Sequence, residues 1–280
     1  MALRHHIQLI GIDVDGTLLD SRGQVPDANL RAIEEAVARG IAIAIVTGRS
    51  FFFAQPAVVA LPDPLTMIVH NGALARMRSG ETLVRRLLPA GVARDVLDVT
   101  RAWRESAVAF FDRPLARQIV YDRMDWQHRN RARFRERNRD IIEQVASLDD
   151  AITEDPIQIA YNGGVEEMRA LVRSLSACSS AERFSVMLTE YVARDFALVD
   201  VCAEATTKAS GLAAVAALRD IPRDAVLAIG DNYNDREMLE WAGTGIVMGN
   251  AAEDLRTAGF AVTGTNDDAG LAQAIRRYAL

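Results

Sequence analysis

Apolar residues in this chain follow two rhythms, and the alternation between them predicts its architecture. Near-continuous apolar runs at Ile7–Val14, "IAIAIV" (41–46), "LTMIV" (65–69) and "AVLAIG" (225–230) read as strands buried on both faces. Between such runs, Asp27–Arg39 sets Leu30, Ile33, Val37 and Ala38 at helical spacing and stops at Gly40. Lys208–Leu218, Arg236–Gly243, Ala252–Ala258 and the stretch ending at Leu280 read as further helices. "GIVMGN" (245–250) and "FAVT" (260–263) read as strands between them. Strands and helices in strict alternation predict an α/β fold, a Rossmann-like doubly wound parallel sheet.

From about Leu83 the rhythm changes. Ala90–Glu105 reads as a helix, and "AVAFFD" and "ARQIVYD" as short strands about a turn at Pro114. An Arg-rich segment spans Asp125–Val145; "PIQIAY" (156–161) is a strand and Val165–Ala177 a helix. "RFSVMLTE" (183–190) and "DFALVDV" (195–201) form a strand pair. Neighbouring strands with short turns predict a separate α+β unit. The expected organisation is a core of residues 1–83 and 195–280 interrupted by an inserted α+β cap, 84–194.

Length and charge narrow the possible partners. A chain of 280 residues with 32 basic and 38 acidic side chains, net −6, has ample apolar content for its cores and no general affinity for nucleic acid. No signal-peptide pattern opens it, and the first apolar run breaks at Asp13, short of the ~18 residues of a membrane span. A cytoplasmic location is therefore expected. Cys178 and Cys202 are too few for a disulfide framework or a zinc cluster, and read as small hydrophobes. His5 and His6 lack partners at metal spacing and read as surface residues.

The chemistry concentrates where strands end. "GIDVDGTLLD" (11–20) closes a buried strand with Asp13 and Asp15, followed at once by Gly16 and Thr17. Residues i and i+2 of a strand share a face, about 6–7 Å apart. Two such carboxylates near apolar walls repel unless a cation lies beside them or one holds a proton. Thr47-Gly48-Arg49 ends the second strand, and Asp231 ends another, with Asn234 and Asp235 just beyond. Ligands of open α/β sheets bind outside the carboxyl ends of the strands, so these residues should converge. Lys208 opens a helix, where it adds a cation and helix-end N–H groups. Carboxylates suit Mg²⁺, and the set as a whole describes phosphoryl transfer.

The ordered motifs "DVDGTLL", "VTGR", the lysine at 208 and "GDNYNDREML…GIVMGNA…FAVTGTNDDAG" resemble the haloacid dehalogenase superfamily. More narrowly, they resemble its Cof-type phosphatases with a large type IIB-like cap between the second and third motifs. The resemblance covers the core; the cap matches in position and size only. It implies that Asp13 is the nucleophile, forming an aspartyl-phosphate, and that Asp15 is acid to the leaving oxygen and base to the hydrolytic water. It implies Mg²⁺ held by the Asp13 carboxylate, the Asp15 backbone carbonyl and Asp231, with Asp235 bracing bound waters. Thr47, the Gly48 amide, Lys208 and Asn234 would hold the phosphoryl oxygens. Here Ala209 follows the lysine, where the family usually has glycine.

Each motif also has a plainer reading. Asp and Gly suit strand-end turns, Thr47 a helix N-cap, Lys208 a solvated helix start, and Asp235 a helix cap. Asn71-Gly72 reads as a turn or a hinge, and Phe51–Phe53 as packing on a helix. Seven arginines in 123–139 suit a solvated helix face with pairs to acids, or a basic surface for an anionic leaving group. "GTGIVMG" has GxGxxxG spacing and is no dinucleotide fingerprint. The expected function is a Mg²⁺-dependent phosphatase of a small phosphorylated metabolite, a sugar phosphate foremost, with selectivity between about Leu83 and Arg194. The rivals are a phosphomutase and a non-catalytic phosphometabolite sensor. Neither nucleic acid nor membrane is an expected partner, and the oligomeric state is left open.

Overall fold

Four fully buried residues, Leu9–Ile12, form the strand β1, and everything in the first unit is arranged about it. The computed structural model describes residues 6–114 and 116–280, leaving the side chains of Arg129 and Ala193 aside; His5 lies outside the described residues, and His6 is exposed. In chain order the elements after β1 are α1 (Asp27–Ala38), β2 (Ala42–Val46), α2 (Phe51–Val58), β3 (Leu65–Val69), β4 (Leu74–Met77) and β5 (Thr82–Arg85). There follow α3 (Ala90–Val99), β6 (Val108–Phe110), β7 (Ile119–Tyr121), α4 (Arg129–Arg137), β8 (Ile142–Gln144), α5 (Leu148–Ala151), β9 (Gln158–Gly163), α6 (Val165–Ser176), β10 (Phe184–Tyr191) and β11 (Phe196–Ala203). The chain ends with α7 (Lys208–Ala217), β12 (Val226–Gly230), α8 (Arg236–Trp241), β13 (Thr244–Val247), α9 (Glu253–Arg256), β14 (Ala261–Val262) and α10 (Gly270–Tyr278).

The first unit, residues 1–85 and 207–280, holds an eight-stranded sheet ordered β14-β13-β12-β1-β2-β3-β4-β5. From β14 to β3 it is parallel; β4 and β5 extend it antiparallel. The chain leaves β1 towards β2 on one side and returns on the other as β12, so β1 is the switch point. Pairing registers Ile12 with both Ile45 and Ile229. That register alone brings Asp13, Thr47 and Asp231 to one end of the sheet. Leu9, Ala44, Val46, Ile68, Leu212, Val215 and Ala228 form a core on one face. The buried Asn29 amide ties other parts together: its Nδ2 donates to Leu18 O at 3.3 Å, and its Oδ1 accepts from Ala272 N at 3.0 Å.

The second unit, residues 86–206, holds a six-stranded sheet ordered β10-β11-β9-β6-β7-β8, antiparallel except for β7 with β8. Its core gathers Val92, Val96, Leu97, Phe111, Ile159, Tyr161, Met168 and Leu171. Two expectations are corrected here. The core does not resume at 195: β11 pairs along its whole length with β10 and with β9, so the insertion runs to Thr206. The helix expected over Ala90–Glu105 ends at Val99, and a 3₁₀ segment, Arg101–Ser106, continues from it.

The Arg-rich segment is mostly the solvated helix face expected of it. Arg123, Arg133, Arg135, Arg137 and Arg139 are exposed. Arg131 departs from that reading. It is 5% exposed, and its guanidinium donates to Asn162 Oδ1 at 2.9 Å and Asn162 O at 2.6 Å, fastening α4 to β9. Cys202 is buried and Cys178 half-buried, and neither is in a disulfide. Among the described residues no helix is long and apolar enough to cross a membrane.

Candidate active site

Asp13 follows β1 directly, and its amide still donates to Ile229 O at 3.0 Å, as the strand ladder requires. The residue is 5% exposed. Lys208 meets it from the first turn of α7, a helix started by Thr207: the Thr207 hydroxyl accepts from Ser210 N, and Ser210 Oγ accepts from Thr207 N. Lys208 Nζ donates to Asp13 Oδ1 and to Asp235 Oδ1, both at 2.6 Å, and the lysine is 3% exposed. The Ala209 departure therefore leaves Lys208 in place, buried rather than solvated.

Asp231 and Asp235 come from the turn after β12. Asp235 is fully buried; its Oδ2 accepts from the amides of Asp231 and Asn232 at 3.0 Å each, so it caps the turn and faces Lys208 with its other oxygen. Gly230 makes this possible, because a Cβ there would lie 2.6 Å from Asp235 Cβ. Gly16 plays the same part for Asp231: with φ at +90°, it leaves room where a Cβ would stand 2.3 Å from Asp231 Oδ2. Thr17 Oγ1 donates to Asp231 Oδ1 at 3.1 Å. Asn250 Nδ2 donates to Gly16 O at 2.9 Å and reaches Asp231 Oδ2 at 3.5 Å.

One oxygen each of Asp13, Asp231 and Asp235 lie within 4.8 Å of one another. Burial pushes the Asp13 carboxyl well above the usual range. Asp235, Asp231 and Asp15 add to the shift, and Lys208 opposes it without cancelling it. Burial, then Asp235, pushes Asp231 up to about 7, against the Thr17 hydrogen bond and Lys208. Burial alone would lower Lys208, but Asp13 and Asp235 hold it above the ordinary lysine value. Three carboxylates share one ammonium. The surplus is negative, and its donors are all hard oxygens, which fits a divalent cation such as Mg²⁺.

Thr47 is buried one residue beyond β2, and its Oγ1 accepts from Arg49 N at 3.2 Å. Gly48 is half-buried beside the Asn71 side chain. His70–Gly72 is a buried 3₁₀ turn, with His70 and Asn71 left-handed, and Gly72 lies so close to Thr207 O that a Cβ would stand 2.1 Å from it. The turn reading holds: it packs against the start of the Lys208 helix. Asn234 is half-buried on the turn Tyr233–Asp235. The Asp15 side chain is not in the carboxylate cluster; it is half-exposed and turned to Arg49. Of the Phe51–Phe53 trio, Phe52 is exposed, while Phe51 and Phe53 lie under the guanidinium groups of Arg76 and Arg49.

Sequence reasoning gave no role to Thr17, Arg49 and Asn250. Thr17 and Arg49 stand inside the quoted motifs "DVDGTLL" and "VTGR", and Asn250 in "GIVMGNA", so membership of those motifs was the available signal.

A family model for haloacid dehalogenase-like hydrolases matches residues 10–275. The chain is 26% identical over 291 aligned residues to the chloroplastic endoribonuclease YBEY of Arabidopsis thaliana; this takes in 95% of the chain and 46% of that protein, so the chain spans about half its length. It is 28% identical to the phosphatase YwpJ of Bacillus subtilis, over 96% of the chain and 99% of that protein. The solved HAD subclass IIB sugar phosphatase BT4131 shares the fold with a TM-score of 0.77 at 22% identity, over 97% of this chain and 98% of that one. With the family match running almost from end to end, the chain belongs to the haloacid dehalogenase-like hydrolases.

Proposed function

We propose that the protein is a Mg²⁺-dependent phosphatase of a small phosphorylated metabolite, working through an aspartyl-phosphate on Asp13. The observation that carries this reading is the buried carboxylate surplus: Asp13, Asp231 and Asp235 close together, with Lys208 the one cation paired with them among the described residues. The Asp13 and Asp231 carboxylates and the Asp15 backbone carbonyl would hold the metal, with Asp235 bracing its waters. When bound, the metal neutralises charge on Asp13 and on the phosphoryl oxygens.

The residues divide the remaining work. Thr47, the Gly48 amide, Lys208 and Asn234 orient the phosphoryl group, which matters most in a reaction dominated by positioning. An Asp13 oxygen attacks phosphorus, the bond to the leaving oxygen breaks, and Asp15 gives that oxygen its proton. Water then attacks phosphorus, Asp15 takes the water's proton, and the Asp13–phosphorus bond breaks to release inorganic phosphate. Substrate choice is assigned to the inserted unit. The sugar phosphatase BT4131 makes a sugar phosphate the first class to try.

The experiment is phosphate release from a panel of phosphorylated metabolites in Mg²⁺, with acid quenching to trap phosphoprotein. The expected result is free phosphate and a label on Asp13. Transfer of the phosphoryl group to a second position of the substrate without phosphate release would make it a phosphomutase. Binding without turnover would make it a sensor.

A further inference from the structure

The Asp15 carboxylate is gripped at both oxygens. Arg49 Nε donates to Asp15 Oδ2 at 2.8 Å, and Nη2 to Oδ1 at 2.5 Å. The arginine is itself fixed along its length. Its amide donates to Thr47 Oγ1, its carbonyl accepts from His70 N at 2.9 Å, and its guanidinium carbon lies 4.7 Å from the centre of the Phe53 ring. Its side chain is 18% exposed, against 53% for Asp15. An exposed ion pair between two mobile side chains contributes little, because ordering both offsets the attraction. Here one partner is already ordered by the loop and by the ring, and the fork of a guanidinium fixes a carboxylate in direction as well as distance.

We propose that Arg49 is a positioning residue for Asp15, setting the direction from which that carboxyl delivers and receives its proton; this rests on the reading of Asp15 as the acid and base. Both Asp15 oxygens accept from Arg49, so neither can carry a proton to the leaving oxygen while both contacts stand. In the acting state one contact opens and the other remains as the pivot. The proton then passes from the freed Asp15 oxygen to the leaving oxygen as the phosphorus–oxygen bond breaks, and the second half-reaction returns a proton from water to the same oxygen. Arg49 also joins the loop that carries Thr47 and Gly48 to the loop that carries Asp13 and Asp15, so the phosphate-holding groups and the proton donor keep a common frame.

A positioning role through Asp15 should depend on how much the leaving group needs a proton, which a merely structural role would not. Wild type, Arg49→Lys, Arg49→Ala and Asp15→Asn would be compared in Mg²⁺ on 4-nitrophenyl phosphate, whose leaving group departs unprotonated, and on glycerol 2-phosphate, whose leaving group does not. Thermal melts of each variant establish that it is folded. Arg49→Ala should lower kcat/KM, which reports the step that expels the leaving group and not the hydrolysis common to both esters, about 10- to 100-fold on the alkyl ester and much less on the aryl ester. Arg49→Lys should fall in the same direction, since an ammonium cannot grip two oxygens. Equal losses of kcat/KM on both esters, or wild-type values on both, would overturn the proposal. Asp15→Asn is the internal standard: if it too loses equally on both esters, the acid–base reading of Asp15 fails first; if only the arginine variants do, that reading stands and the role of Arg49 falls.

Discussion

Each unit buries an ionic cluster, and the two respond to burial in opposite directions. In the insertion, Arg104 (7% exposed) grips Asp122 (8%) at 2.9–3.0 Å and also reaches Asp149. The amides of Arg123 and Leu148 donate to Asp122 as well, at 2.7 and 3.1 Å. Burial would raise that carboxyl, but the Arg104 hydrogen bond and the amides outweigh it and hold Asp122 below the usual range. At the end of β1, burial prevails: Asp13 and Asp231 are pushed up although Lys208 sits among them. The difference lies in completion. Asp122 has every oxygen engaged by donors that belong to the fold. The Asp13 cluster has more carboxylate than its single lysine can serve, and such a deficit marks a place built for something the chain itself does not supply.

Substituting one acid in each cluster should separate the two cases. Asp13→Asn should abolish turnover by several orders of magnitude while raising the melting temperature of the metal-free protein at pH 8, because it removes a carboxyl whose ionisation the buried site opposes. Asp122→Asn should do the reverse. Taking one partner from a buried pair typically costs about 3–5 kcal/mol, so it should unfold at lower urea while the folded fraction keeps its kcat. A stabilising Asp122→Asn, or a destabilising Asp13→Asn, would erase the contrast. A smaller effect divides the arginines of α4. Arg131→Ala strands the Asn162 acceptors and should cost about 1–3 kcal/mol, whereas exposed Arg133→Ala should stay within about 0.5 kcal/mol. Equal denaturation midpoints for the two would return Arg131 to the solvated face.

The legible part of the molecule was the part whose signal is local. Buried strands of the parallel sheet announce themselves as unbroken apolar runs; Asp13, Thr47 and Asp231 each directly follow the end of such a strand, and Asp235 stands four residues beyond Asp231. That is why Asp13, Thr47, Asp231 and Asp235 could be brought together without coordinates. What escaped depends on pairing across the chain. The pair formed by 183–190 and 195–201 was legible, yet a boundary expected at 195 cut through it; the further register of β11 with β9 is what puts the whole strand in the insertion. The strands β4 and β5 are short and carry Arg76 and Arg85 among their apolar residues, so they lack the unbroken run. Arg49 stood in plain view in "VTGR", but its partner lies 34 residues away across the switch point. The Arg131–Asn162 link likewise joins α4 to a strand 31 residues on.

The most direct test of the carboxylate surplus is a pair of thermal melts, in excess Mg²⁺ and in chelator, at pH 5 and at pH 8. Asp231 has its folded value raised to about 7 from 3.8, and Asp13 is raised too. Over that range the unfolded chain loses its protons first, so metal-free stability falls as pH rises from about 4; the share of the penalty due to Asp231 is complete above about 7, and the rise at Asp13 acts in the same direction. Asp122, held low, acts in another window: its contribution is present above about 4 and is lost only in stronger acid. Mg²⁺ competes with protons for the Asp13 and Asp231 oxygens, so its gain in melting temperature should be larger at pH 8 than at pH 5 and should shrink in Asp231→Asn. Equal gains at the two pH values, or an undiminished gain in Asp231→Asn, would contradict the assignment of the cluster to the metal.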